Sequence, residues 1–334
     1  MADPNKWLGL MKWSMKYADG TAPSEFKAMS KEDRDFLDKV LKEGVMDENE
    51  RVGQILRILD GESPDVVFAK EDDDEQSKPE EKPSEEDLAE YKDALLDELL
   101  SRVDQIDMAM NFVKLEGLPV LIRLMQKNPR ASTRALAAEV CSVVVQNNPF
   151  CQDGAVAVGM VEELCKLSED PDTTCQVKAL LAISCLVRNH PASEQRFFSP
   201  ECSGLSVLKR FLREDADLRL QRKSLFFLRY LIRNNAETAK QVLADGKYLS
   251  TVAKLMNTED VDLCESTIDA LTEFLQLGGK FADAVRSPEL ALQDVLTARV
   301  QQVKAMDDSN EEKEYMQEVV RMATELKQQL LQAP

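Results

Sequence analysis

Apolar residues three apart mark one face of a helix, and in this chain the same short stripe returns at a fixed interval. Leu118, Leu121 and Leu124 form it first; Val161, Leu164 and Leu167, then Leu205, Leu208 and Phe211, then Leu249, Val252 and Leu255 repeat it, and Leu292, Val295 and Ala298 are a faded last copy. Successive copies start 43, 44, 44 and 43 residues apart. A second ladder follows the stripes: QNNP at Gln146, RNHP at Arg188, RNNA at Arg233 and QLGG at Gln276, with steps of 42, 45 and 43. Ahead of these anchors one column holds only small residues, Ala137, Ala179, Ser224 and Thr267. Its neighbours are apolar throughout: Cys141, Ile183, Leu228 and Leu271; Val144, Leu186, Leu231 and Phe274; Val145, Val187, Ile232 and Leu275. A helix that packs closely on the next copy needs a small side chain where backbones approach and large apolar ones elsewhere. The pattern therefore predicts repeated helical modules that shelter one another.

Outside the ladders the pattern predicts further helices. Ser30 with Asp33 resembles a capping box opening a helix through Leu41 that ends near Gly44. Asp47 begins a second, carrying Val52, Ile55, Leu56 and Leu59 to Gly61. Lys70 to Ser84 reads as a linker, because its charge and its prolines Pro79 and Pro83 leave nothing to bury. From Glu85 to Leu115 a helical stripe runs without Gly or Pro and would cap the N-terminal end of a stack. Pro288 can open a last unit, closed by a helix with Met316, Val319, Val320, Met322 and Leu326. The implied partition is an N-terminal segment with short helices at 1–62, an acidic linker at 63–86, a helical cap at 87–116, four repeats at 117–287 and a C-terminal cap at 288–334.

A period in the low forties with no strand-like alternation is the armadillo/HEAT signature. The expected fold is all-α: an armadillo/HEAT-like right-handed superhelix of about four repeats with helical caps, plus a separate N-terminal helical segment. Stacked modules of this kind leave a concave surface, and that is where function is sought.

Charge and cysteine content narrow the function classes. The net charge is −19, of which residues 71–87, with ten acidic and two basic side chains, supply −8. Such a balance disfavours nucleic acid or an anionic membrane as partner, since those need clustered Lys and Arg. The seven cysteines include no CxxC pair and no matching histidines, and Cys141, Cys165 and Cys185 fall in or beside apolar stripes. They read as small buried hydrophobes of a reducing compartment. His190, the one histidine, lies in the RNHP turn and reads as a surface turn residue. No phosphate-cradling glycine loop, HExxH or GxSxG occurs, so neither an enzyme nor a cofactor is expected. The N-terminus has no long apolar stretch of a secretion signal, which makes the cytosol, and possible entry to the nucleus, the expected location.

In the armadillo family, which these spacings resemble, the third helix of each repeat lines the groove. The stripe is then Ala135, Glu139, Val143 and Gln146; Val177, Leu181, Cys185 and Arg188, with Lys178 adjacent; Arg222, Phe226, Tyr230 and Arg233, with Arg229 flanking; and Glu265, Asp269, Glu273 and Gln276. Such a groove runs from nearly neutral, through apolar and cationic, to acidic. Lys178, Leu181, Arg188, Arg222, Phe226, Arg229, Tyr230, Arg233, Asp269 and Glu273 are the expected partner contacts, because aromatic and guanidinium groups dominate interface energetics.

The first twenty residues carry Trp7, Leu8, Leu10, Met11 and Trp13 among lysines, Lys12 included. Leu10-Met11-Lys12-Trp13-Ser14, the short helices to Leu59, an acidic linker and four armadillo-type repeats together resemble the cytosolic heat-shock-protein-70-binding nucleotide-exchange factors. That family's Leu-Leu-Lys-Trp-Ser motif is matched with Met11 at its second leucine, and the resemblance covers nearly the whole chain. It implies a co-chaperone, monomeric when free, whose concave face grips the chaperone's nucleotide-binding domain so that ADP leaves. As a second expectation, the lysine-flanked apolar segment Trp7 to Trp13, tethered through the linker, resembles what such a chaperone binds as client. A related branch works in the endoplasmic reticulum. The rival expectation is an armadillo scaffold or nuclear-import adaptor. Those that hold extended peptides resemble one another in a Trp and Asn ladder, and the corresponding pairs here are Glu139 and Val143, Leu181 and Cys185, Phe226 and Tyr230, Asp269 and Glu273.

Overall fold

A computed structural model describes residues 31–35, 47–68, 84–306 and 311–332. The chain divides into two units, Met1–Gln76 and Ser77–Pro334, each taken by itself. In the first, residues 31–35 are helical. Helix α1 (Glu48–Leu59) starts where the side chain of Asp47 accepts the Asn49 and Glu50 N–H groups, and it buries Val52, Ile55, Leu56, Ile58 and Leu59. A short helix, α2 (Pro64–Phe68), packs on α1, with the Arg51 guanidinium 5.6 Å from the Phe68 ring centre. Pro64–Phe68 is thus helical inside the stretch expected to be linker; residues 69–83 of that stretch, the Leu10–Ser14 motif and the rest of 1–30 lie outside the described residues.

The second unit is a stack of three-helix modules. Ahead of them, α3 (Glu85–Arg102) opens with a complete capping box between Ser84 and Asp87. The modules are α4 (Ile106–Lys114), α5 (Gly117–Lys127) and α6 (Ala131–Val145); α7 (Pro149–Ala157), α8 (Met160–Leu167) and α9 (Thr173–Val187); α10 (Pro191–Phe197), α11 (Gly204–Phe211) and α12 (Leu218–Asn234); and α13 (Ala236–Ala244), α14 (Tyr248–Lys254) and α15 (Val261–Gln276). Then come α16 (Gly279–Val285), a 3-10 turn at Pro288–Leu290, α17 (Leu292–Lys304), α18 (Glu311–Tyr315) and α19 (Gln317–Leu331). No strand occurs among the described residues. The continuous stripe expected from Glu85 to Leu115 is broken after Arg102, where buried Val103 ends α3, so α4 packs as a separate helix under α5, α6 and α7.

Each ladder in the sequence has a structural cause. The long helices α6, α9, α12 and α15 stack side by side, with α3 covering one end at α6 and α19 the other at α15. The small column Ala137, Ala179, Ser224 and Thr267 is fully buried in this layer, and the flanking apolar columns are buried with it. The QNNP-type anchors are corners. Asn147 and Asn189 take left-handed backbone (φ 52 and 59), and the next residues, Asn148 and His190, cap α7 and α10, whose first position is proline. Proline there loses only an N–H that has no helical partner. A second corner recurs before the middle helices α5, α8 and α11 and again before α17, at Glu116, Gly159, Ser203 and Ala291, all with positive φ; α14 starts without it, from Lys247 at φ −102. Only one of the four is glycine, so three non-glycine residues hold a conformation that costs them roughly 1–2 kcal/mol each.

His190 departs from the surface turn residue expected. It is buried, its Nδ1 accepts the Ser193 N–H (3.3 Å) and lies 2.7 Å from Ser193 Oγ, and its Nε2 lies 3.1 Å from Asp153 Oδ1 of the preceding module. The tautomer with hydrogen on Nε2 satisfies all three contacts. Asp, His and Ser thus line up as in a hydrolytic triad, but the Ser193 hydroxyl is enclosed in the core, and the group serves as a helix cap. All seven cysteines are free and six are buried. Burial pushes the Cys141 thiol up to about 12 and Cys151 to about 11, as expected for small hydrophobes.

Candidate protein-binding face

The face in question is the solvent side of the long-helix layer. Along α6, α9, α12 and α15 the expected stripe surfaces at Glu139, Val143 and Gln146; at Leu181, Cys185 and Arg188; at Arg222, Phe226, Tyr230 and Arg233; and at Glu265, Asp269, Glu273 and Gln276. Its first positions on α6 and α9, Ala135 and Val177, are instead buried. Phe226 stands out, 56% exposed in the middle of the layer.

The cationic part of the expected gradient is not a free positive zone, because charges pair across module boundaries. Lys178 reaches Glu139 of the preceding module at 2.5 Å. Arg222 forks onto Asp260 and meets Asp262 at 3.1 Å. Arg229 bonds Glu273 at 2.8 Å with Asp269 at 3.9 Å, and Arg233 closes on the other oxygen of Glu273. Lys178, Arg222, Arg229, Arg233, Asp269 and Glu273 are therefore brought together as a lattice of module-to-module links. Partly exposed pairs of this kind contribute about 0–1 kcal/mol each; they fix the angle between neighbours more than they stabilise them.

Arg188 differs. Its guanidinium carbon lies 5.2 Å from the Phe226 ring centre and 5.4 Å from that of Tyr230, across the boundary between α9 and α12. It ends α9 as the C-cap residue, where a positive charge suits the helix dipole. Its Nε is buried without a hydrogen-bond partner among the described residues, a situation that costs on the order of 1–3 kcal/mol. The Tyr230 hydroxyl accepts the Asn189 N–H at 2.8 Å and donates to Asn189 Oδ1 at 3.0 Å, so Tyr230 also locks the left-handed corner after α9. Beside Arg188 lies Cys185, whose thiol burial raises against the pull of the Arg188 and Lys223 charges. Beyond the arginines the face turns acidic. Glu265, Asp269, Glu318, Arg321 and Glu325 line a cleft of about 340 Å³ between α15 and α19. Burial, then the charges of Glu318, Asp262 and Asp269, raise the Glu265 carboxyl.

Sequence reasoning missed Lys223, Asn189 and Asp260. Asp260 was findable: it caps α15 as Asp172 caps α9 and Asp217 caps α12, a third ladder in step with the others. Asn189 could be read from the repeated Asn of the anchors, and Lys223 from Lys178, since each lysine directly precedes the small-column residue of its module, Ala179 and Ser224. Trp7, Leu8, Leu10, Met11, Lys12 and Trp13 lie outside the described residues.

Residues 108–247, which contain Arg188, Phe226 and Tyr230, match the model of the SIL1/FES1/HPBP1 C-terminal domain. Over these residues the chain is similar to the SIL1/FES1/HPBP1 family. Among relatives of that family, Hsp70-binding protein 1 of Homo sapiens is 26% identical over 322 residues, 95% of this chain and 85% of that protein. Hsp70 nucleotide exchange factor FES1 of Debaryomyces hansenii is 30% identical over 144 residues, 42% of this chain and 50% of its own. Nucleotide exchange factor SIL1 of Xenopus laevis is 33% identical over 117 residues, covering 34% and 24%. Among solved structures, a designed armadillo-repeat protein in complex with a (KR)4 peptide superposes with a TM-score of 0.58 over 83% of this chain and 99% of its own, at 16% identity. That likeness establishes the armadillo fold of this chain and nothing about its ligand.

Proposed function

We propose that this chain is a co-chaperone that promotes nucleotide exchange on a cytosolic Hsp70-type chaperone. The observation that carries this reading is the family match across the central modules, joined to relatives named for Hsp70 binding and for nucleotide exchange. The proposed contact is the open side of the long-helix layer, on the chaperone's nucleotide-binding domain. Its support is a rigid face with one exposed aromatic, Phe226, amid arginines, the residue types that give most energy when desolvated. The cytosol is proposed because buried, unpaired cysteines suit a reducing compartment.

Mechanistically such a protein needs no reacting group. A ligand shifts a conformational equilibrium by its differential affinity for the two states. A face that fits the opened nucleotide cleft about 10⁴-fold better than the closed one would carry the chaperone from almost wholly closed to almost wholly open. ADP then leaves and ATP enters. Adding the full chain to an Hsp70-type chaperone loaded with fluorescent ADP is expected to accelerate release, saturably. An unchanged release rate at saturating concentration sinks the reading.

A further inference from the structure

Among the cations on this face, Arg188 stands apart by its surroundings. Lys178, Arg222, Arg229 and Arg233 each spend their charge on a carboxylate of an adjacent module. Among the described residues Arg188 meets no carboxylate; what it meets is the Phe226 and Tyr230 rings, and its Nε is left without a partner. Lys223, whose charge also acts on Cys185, forms no ion pair among the described residues either. Two positive groups therefore converge beside one exposed aromatic ring, in a chain whose net charge is −19 and where the described acids Glu139, Asp269 and Glu273 of this face are already paired.

The geometry suits one class of occupant. A guanidinium packed against ring faces is restrained as a plane, and its edge presents parallel N–H donors that match the two oxygens of a carboxylate. A bulky apolar group would strand the charge, and a cationic group would be repelled. Glu139 of α6 and Asp262, Asp269 and Glu273 of α15 are held by Lys178, Arg222, Arg229 and Arg233, so none of these described acids is free to take the site, and the anion is assigned to the partner. Phe226, projecting beside it, shields the resulting pair from water, which strengthens it.

We propose that Arg188, seated against Phe226 and Tyr230 and reinforced by Lys223, is the receptor for an aspartate or glutamate side chain on the surface of the folded protein partner. This deepens the function proposed above and rests on it. Arg188 thereby sets which side of the partner faces the long-helix layer, while the paired cations around it hold the modules at the angle that presents it.

The test uses the full chain and the fluorescent-ADP release assay, with binding measured in parallel by calorimetry. Arg188→Gln is expected to raise the concentration for half-maximal release at least tenfold, and to flatten the salt dependence of binding, with the thermal midpoint unchanged. Arg188→Lys, which keeps charge but not the planar fork, should fall between. Acid-to-amide substitutions on the chaperone's nucleotide-binding domain should include one whose effect disappears in the Arg188→Gln background. Wild-type acceleration with Arg188→Gln equal to it overturns the Arg188 site and leaves the exchange function standing; so does strict additivity at every partner acid. A wild-type chain that accelerates nothing removes both.

Discussion

At Asn148, His190 and Asn235 one backbone task is met by two side-chain chemistries. Each residue accepts the free N–H groups at the start of a first helix, of α7, α10 and α13. Histidine does so through Nδ1 and adds a contact from Nε2 to Asp153, which ties the second and third modules. His190→Asn should therefore keep most of the stability, since asparagine is among the best caps and two modules already use it. His190→Ala should lose about 1 kcal/mol, as removal of a cap usually does. Urea unfolding of both variants decides it: equal losses would mean that the cap is not what His190 contributes. This role was half legible in the sequence. The anchor ladder marked position 190 as special, yet the histidine looked like surface, because its burial depends on Asp153 and Ser193, neighbours that only the fold supplies.

Among elements, the terminal ones show most clearly what a one-dimensional pattern conveys. The final helix, α19, was legible from its spacing, and its inward side is Val319, Ala323, Leu326 and Leu330, packed on α15 and α17. By contrast the break between α3 and α4 was invisible, since no Gly or Pro marks it; it exists because α3 lies along α6 while α4 turns under α5 and α7. Charge pairing was likewise hidden. Arg229 and Glu273 are 44 positions apart, and nothing in either neighbourhood announces the other. In a stack where each module touches only its neighbours, damage at one end stays local. Leu326→Ala, at a fully buried site, should cost about 2–5 kcal/mol. It should appear as an early melting phase followed by an unshifted main transition, read by circular dichroism. One transition shifted as a whole would show that α19 is coupled to the entire stack.

For the whole molecule, acid is the informative stress. Asp245 is held below the usual carboxylate range by its hydrogen bond to Lys209. Asp170, where burial pushes the other way, is still brought below it by Arg134 and the Asp172 N–H. Both links cross module boundaries, Arg134 to Asp170 at 2.8 Å and Lys209 to Asp245 at 2.5 Å. A carboxyl whose pKa is lower folded than unfolded adds stability above its unfolded pKa, and that addition fades as pH falls through the folded value. Stability should therefore hold from neutrality to about pH 4, the unfolded aspartate range, and decline below it. Chemical denaturation at pH 7, 5, 4 and 3 tests this, and a curve flat to pH 3 would contradict it. The repeat ladders made the number and order of modules readable before any coordinates. The distribution of charge over the face was not, because it depends on which rotamers meet across a gap of one repeat.

The buried small column carries a last consequence. Alanine at 137 and 179 lets α6 and α9 lie in close embrace, whereas Ser224 and Thr267 are bulkier and α9, α12 and α15 touch more sparingly. The seam between α9 and α12 is thus one of the two looser joints of the layer, and it is the one that Arg188, Phe226 and Tyr230 bridge, so whatever clasps those three side chains also braces that joint.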